Sequence, residues 1–227
     1  MSQAQDPVLL TVRGTLVSTT LESARTLHNE TAGSPPGVAA ARSLGDLSHK
    51  VFAPFAGGAK MSDAKTGELL FLDIWVEPGG IQTFFSNPQV GEQASRLFKS
   101  RDPNVWMPAR GSFAYHLPVP AGKEARYIGI IRAPVKSPED AIGAFREVQM
   151  NTLREARQSG KVSHQIFFKL GPPGAPTELL GLDTWHNAEG MLAHYGNMEH
   201  MAALTPIFAG APQASIWEQA PGAWSEW

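Results

Sequence analysis

Apolar residues fall in short blocks along this chain, and the spacing of the stretches between them is helical. Val8 to Val17 and Tyr127 to Ile131 have the content of strands, and each precedes a helical stretch, Leu21 to about Gly45 and Ser137 to about Ser159. The first helix is broken at Ser34-Pro35-Pro36-Gly37. The second opens on Ser137-Pro138-Glu139-Asp140, a capping residue with proline at the first helical position and acids in the first turn, and it stops at Gly160. Two strands follow in each half, Leu47 to Phe55 with Glu68 to Val76, and Val162 to Leu170 with Glu178 to His186. Helices are expected next at Gly80 to Lys99 and Ala188 to about Leu204, then closing strands at Gly111 to Leu117 and Gln213 to Glu218.

The two halves repeat each other after about 110 residues. Leu47-Ser48-His49-Lys50-Val51-Phe52 returns as Val162-Ser163-His164-Gln165-Ile166-Phe167, and Leu72-Asp73-Ile74-Trp75 as Leu182-Asp183-Thr184-Trp185. Phe84-Phe85 aligns with His194-Tyr195, and Asn87 with Asn197. Each half therefore reads βαββαβ, an α+β unit with a four-stranded antiparallel sheet and two helices on one face. The expected division is 1–118 and 123–227, joined through Pro118 to Lys123. A sheet covered on one side leaves an apolar face bare, so the two ferredoxin-like units are expected to pack sheet to sheet as an intramolecular pseudo-dimer, with a homodimer as a further option.

Composition narrows the function classes. The chain has 227 residues, no cysteine and a formal net charge of −2. Disulfides, thiolate nucleophiles and cysteine-based metal sites are excluded. The charges are shared evenly between the halves, which gives no footprint for nucleic acid or membrane. Without a basic leader in Met1 to Asp6 or an 18-residue apolar run, the sequence reads as a cytoplasmic protein.

The residues that carry chemistry lie on apolar strand faces. A tight turn at Gly171-Pro-Pro-Gly174 sets His164 opposite Asp183, and the longer loop from Gly57 to Gly67 sets His49 near Asp73. Strict alternation puts His164 on one face with Val162, Ile166 and Phe168, and Asp183 with Trp185. A carboxylate there needs a partner, and an adjacent imidazole supplies one. The pair is then a buried hydrogen bond holding the hairpin, or a base oriented by its Asp. His194, Tyr195, Asn197 and His200 form one polar stripe on the last helix of the second half, where the first half has two Phe; the stripe lines a pocket or faces solvent, and no metal is expected. Asn87 and Asn197 mark a bend or offer an amide to a bound carbonyl. Trp106 falls in an irregular segment, Ser100 to Gly111, which could roof a pocket.

On the βαββαβ order, the duplication, Trp75 and Trp185 late in the third strand of each copy, and the ring-rich helices with Phe84-Phe85 and His194-Tyr195, the chain resembles antibiotic-biosynthesis-type monooxygenase domains of the dimeric α+β barrel superfamily. The resemblance runs from Val8 to about Gln219. It implies a pocket in each unit between sheet and helices, in a group that includes cofactor-free oxygenases of polycyclic phenols, haem-degrading enzymes and isomerases. The expected function is a cofactor-independent monooxygenase, or a related isomerase, on an aromatic or polyketide-like small molecule. The carboxy-terminal copy would hold the site: His164, Asp183 and His194 for catalysis, Trp185, Tyr195 and Asn197 for substrate. His49, Asp73, Trp75, Asn87 and Trp106 are the binding candidates of the first half. No cofactor is called for, since no dinucleotide or phosphate-loop motif is present. A non-catalytic small-molecule binder or stress-associated protein of the same fold is the alternative, and a haem protein a more distant one.

Overall fold

The computed structural model describes residues 6–227. The amino-terminal reading that touched Met1 to Asp6 falls outside the described residues except at Asp6. The described residues divide into two compact units: residues 6–54, 65–107 and 219–227 form the first, residues 55–64 and 108–218 the second.

The first unit runs β1 (Val8–Leu16), α1 (Leu21–Glu30), α2 (Pro35–Ser43), β2 (Asp46–Pro54), β3 (Glu68–Trp75), α3 (Pro78–Phe85), α4 (Pro88–Leu97) and β4 (Phe98–Pro108). Its strands pair antiparallel in the order β4-β1-β3-β2. The Pro-Pro break is the start of α2, where the Ser34 side chain accepts from the Gly37 N–H. The carboxy-terminal tail closes this unit. His49 N–H donates to Trp227 O (2.8 Å) and Trp227 N–H to His49 O (3.2 Å), which adds a short extra edge to β2.

In the second unit β5 (Tyr115–His116) precedes β6 (Tyr127–Pro134), α5 (Pro138–Gln158), β7 (Lys161–Lys169), β8 (Glu178–Trp185), α6 (Ala188–Tyr195), α7 (Met198–Leu204) and β9 (Gln213–Gln219). The order is β9-β6-β8-β7-β5, with antiparallel partners. Ser137 caps α5 as read from sequence, its hydroxyl accepting from Asp140 N–H. The cores lie between sheet and helices: Trp75 and Ile81 pack with Val8 and Leu10 in the first unit, and Trp185 and Met191 with Ala156 and Ile216 in the second. Gly80 and Gly190 keep this spacing, because a Cβ at either would collide with a backbone carbonyl, Leu44 O or Ser159 O.

Three readings need correction. The last strand of the first unit is β4, not Gly111 to Leu117; of that stretch only Tyr115 and His116 form a strand, β5, against β7 of the second unit. The charged run Lys99 to Asp102 and Pro103 hid β4, whose residues 99–103 are exposed. Trp106 accordingly sits within a strand, buried, with its Nε1 donating to Thr11 Oγ1 at 2.9 Å. The long helices after β3 and β8 are each two helices, and Asn87 and Asn197 sit at the joints as N-caps.

Candidate functional site

The hairpin register places His49 opposite Asp73 and His164 opposite Asp183. In both hairpins the register slips by one residue at the start, between Asp46 and Ser48 and between Lys161 and Ser163. Asp46 and Lys161 are thus set opposite Trp75 and Trp185, on the same face as the histidines. Strict alternation assigns Lys161 to the other face, which is why it was missed. The signal that could have found it is the repeat itself: an Asp in one copy stands where the other has Lys.

In the second unit the Asp183 carboxylate collects three donors. His164 Nδ1 lies 2.6 Å from Oδ1, while Lys161 Nζ (2.9 Å) and Tyr195 OH (2.7 Å) reach Oδ2. Burial opposes ionisation of Asp183, but the Lys161 ammonium and the His164 ring hydrogen-bonded to the carboxylate outweigh burial and hold the carboxyl well below its usual range. Lys161 is itself buried, bonded to Gln149 Oε1 (2.9 Å) and set over the Trp185 ring. Burial first, then Asp183, pushes the Tyr195 phenol far up, so it remains a donor. Gly129, opposite Asp183, makes this possible: a Cβ there would run into the Tyr195 ring.

An ionised Asp183 fixes the His164 tautomer. Nδ1 carries the proton that Asp183 accepts, so Nε2 is the nitrogen that bears the lone pair in the neutral form of the ring. That Nε2 is buried and has no hydrogen-bond partner. His164, Asp183, His194 and Tyr195 stand in the wall of a cavity of about 510 Å³, otherwise lined mainly by apolar groups such as Ile130 and Phe145. His194 is neutral at physiological pH, pushed down to about 4 by burial and by Lys161. His200 lines the same cavity, its ring 5.0 Å from His194. Among the described residues no group of three or more His, Asp or Glu is placed to hold a metal ion.

The first unit uses the same pair differently. His49 Nδ1 lies 2.5 Å from Asp73 Oδ1, but its Nε2 is taken by His28 Nε2 at 3.1 Å. Asn29 settles the protons: its Nδ2 donates to Ala223 O and its Oδ1 accepts from Ser225 N–H, so His28 Nδ1 must donate to that oxygen (3.0 Å). His28 Nε2 therefore accepts and His49 Nε2 donates. Burial, then His49, lowers His28 to about 4; burial also acts against a charged His49, but Asp73 overcomes it and raises that ring. The result is a buried imidazolium–carboxylate pair, stacked under Trp227 (4.7 Å), with no free nitrogen. A cavity of about 400 Å³ adjoins it, walled by Asp46, His49, Asp73, Trp75 and aromatic side chains.

Of the sequence candidates, His164, Asp183, His194 and Tyr195 meet in one cavity and His49, Asp73 and Trp75 in the other. Trp185 is buried behind the second cavity, touching the His194 ring (5.2 Å). Asn87 and Asn197 accept from Gln89 and Glu199 N–H as helix caps and stand in neither of these two walls. Trp106 lies outside both as well.

No protein-family model and no curated protein sequence matches the chain. Solved structures do. An anthrone oxidase-like protein matches at 12% identity and TM-score 0.65 over 96% of this chain and 93% of its own. A candidate monooxygenase from Lactobacillus acidophilus NCFM matches at 10% and 0.62, over 97% of both chains. A Listeria monocytogenes 4b F2365 protein described as a ferredoxin fold related to antibiotic biosynthesis monooxygenases matches at 9% and 0.50, over 97% of this chain and 98% of its own. At these identities the likeness is one of fold. It places the chain among ferredoxin-like α+β folds, over nearly its whole length.

Proposed function

We propose that the chain is a cofactor-independent monooxygenase working in the second unit on an aromatic or polyketide-like phenol or enol, with His164 as the base. The observation that carries this reading is the His164 Nε2, buried and unpartnered, on a ring oriented by Asp183 in a mostly apolar cavity. The volume, about 510 Å³, is within the usual range for small-molecule sites. Neighbours of the same fold described as anthrone oxidase-like and as monooxygenase-related point the same way.

In this reading Nε2 takes the proton of the substrate, and the imidazolium so formed is stabilised by Asp183, which Lys161 and Tyr195 keep ionised. The substrate anion then supplies electrons to dioxygen. For an anthrone-like substrate a ring CH₂ becomes C=O: CH₂ + O₂ → C=O + H₂O, one oxygen atom retained, one leaving as water, all four electrons from substrate. The apolar walls keep bulk water from the anion and the peroxide that follows. Neutral His194 is placed to hydrogen-bond a substrate oxygen.

The test is oxygen uptake and quinone formation by purified, metal-stripped protein with anthrone in air-saturated buffer. Turnover above the rate without protein, with one ¹⁸O from ¹⁸O₂ in the quinone, is the expected result. No acceleration over the buffer control across a panel of anthrones and naphthols would sink the reading.

A further inference from the structure

The repeat exchanges Asp46 for Lys161, and the exchange changes what the first cavity can hold. In the second unit Lys161 stands beside Asp183 at 2.9 Å as its counter-ion. In the first unit Asp73 is already neutralised by His49 at 2.5 Å. Asp46 is then a second carboxyl in the same wall, buried at 5% exposure. Among the described residues it takes one hydrogen bond, from Ser48 N–H at 3.2 Å, and no cation lies in ion-pair reach. A buried carboxylate without a counter-ion costs several kcal/mol, on the order of the desolvation of one ion. Burial, then the neighbouring Asp73, push its carboxyl up to about 7, against the weaker opposing pull of the His49 and Arg42 charges and the Ser48 hydrogen bond.

Two further features of the wall bear on what would relieve that cost. Trp75 is 1% exposed, and its indole N–H has no acceptor. The rest is largely aromatic and aliphatic, with Phe71, Phe84 and Trp227 presenting rings to a space of about 400 Å³. Rings beside a carboxylate favour a cation, whose charge the ring faces also attract. Arg101, which stands in the same wall, is exposed, so its charge is met by water.

We propose that the first cavity is a binding site for an aromatic amine, whose ammonium pairs with Asp46 while its ring system lies against Trp75, Phe71 and Phe84 and an acceptor oxygen takes the Trp75 N–H. This site is separate from the chemistry assigned to the second unit and stands or falls without it. The two copies then differ in the charge of the ligand they accept: one favours a cation, the other a substrate that becomes an anion.

Three probes with one ring system and three charges test it: 5-methoxytryptamine, 5-methoxytryptophol and 5-methoxyindole-3-acetate, titrated calorimetrically into the full chain. The amine should bind about tenfold tighter or more than the alcohol and the acid, the effect of one charge-assisted pair. Asp46→Asn should remove that advantage while alcohol binding stays; Asp46→Ser serves if the Asn variant does not fold. Equal affinity for amine and alcohol, no binding of the amine, or an advantage that survives loss of the carboxylate would overturn the proposal.

Discussion

Asp46 and Lys161 occupy the same position in the two copies, each opposite the strand-end tryptophan, Trp75 or Trp185, and they carry opposite charge. Around this exchange the two His–Asp pairs take different states. In the second unit Lys161 pairs with Asp183 and the His164 Nε2 has no partner; in the first no lysine stands at this position, and the His49 Nε2 N–H is bound by His28.

Lys161→Met should be strongly destabilising, by about 3–5 kcal/mol, because it leaves the Asp183 charge buried without its partner. Urea unfolding measures the loss. Adding Asp183→Asn should recover much of it, since the double variant leaves no buried charge; a double variant no more stable than the single would show that packing, not charge, sets the cost.

Gly129→Ala should destabilise by about 1–3 kcal/mol through overpacking against the Tyr195 ring. In a Tyr195→Ala background the same change should cost much less, and thermal melts of the four proteins close the cycle. Equal costs in both backgrounds would mean that the ring does not lie over this glycine.

Asp46 titrates near 7 in the folded chain, above its unfolded value of 3.8. A raised folded value means that its contribution to stability is fully present below about pH 4 and is lost as pH rises through about 7. Asp46→Asn, which cannot ionise, should therefore gain in melting temperature relative to the native chain between pH 5 and pH 8.5. A constant difference across that range would show an Asp46 that ionises alike in both states.

Much of this was legible in the chain. The turn at Gly171-Pro-Pro-Gly174 fixed the register that brings His164 to Asp183, and alternation is strong wherever one strand face is buried. The bulges broke that alternation for one residue in each copy, and with it went Lys161. β4 escaped because its exposed residues carry charge and a proline, and Asn87 and Asn197 because a capped joint between two short helices has the same spacing as one long helix. The role of Trp227 could not be read locally: its backbone pairs with His49, 178 positions earlier in number, and only the folded chain brings them together.

Of the two similar histidines, His164 is proposed as a base and His49 is not. The most direct test of this difference is the rate of oxygen uptake with anthrone by His164→Gln and His49→Gln, each first shown to be folded by circular dichroism. Loss of His164 should lower the rate by about 10²–10⁴, the usual worth of a general base, while loss of His49 leaves it within a few-fold of the native chain. Full activity without His164, or equal loss from either change, would contradict the account.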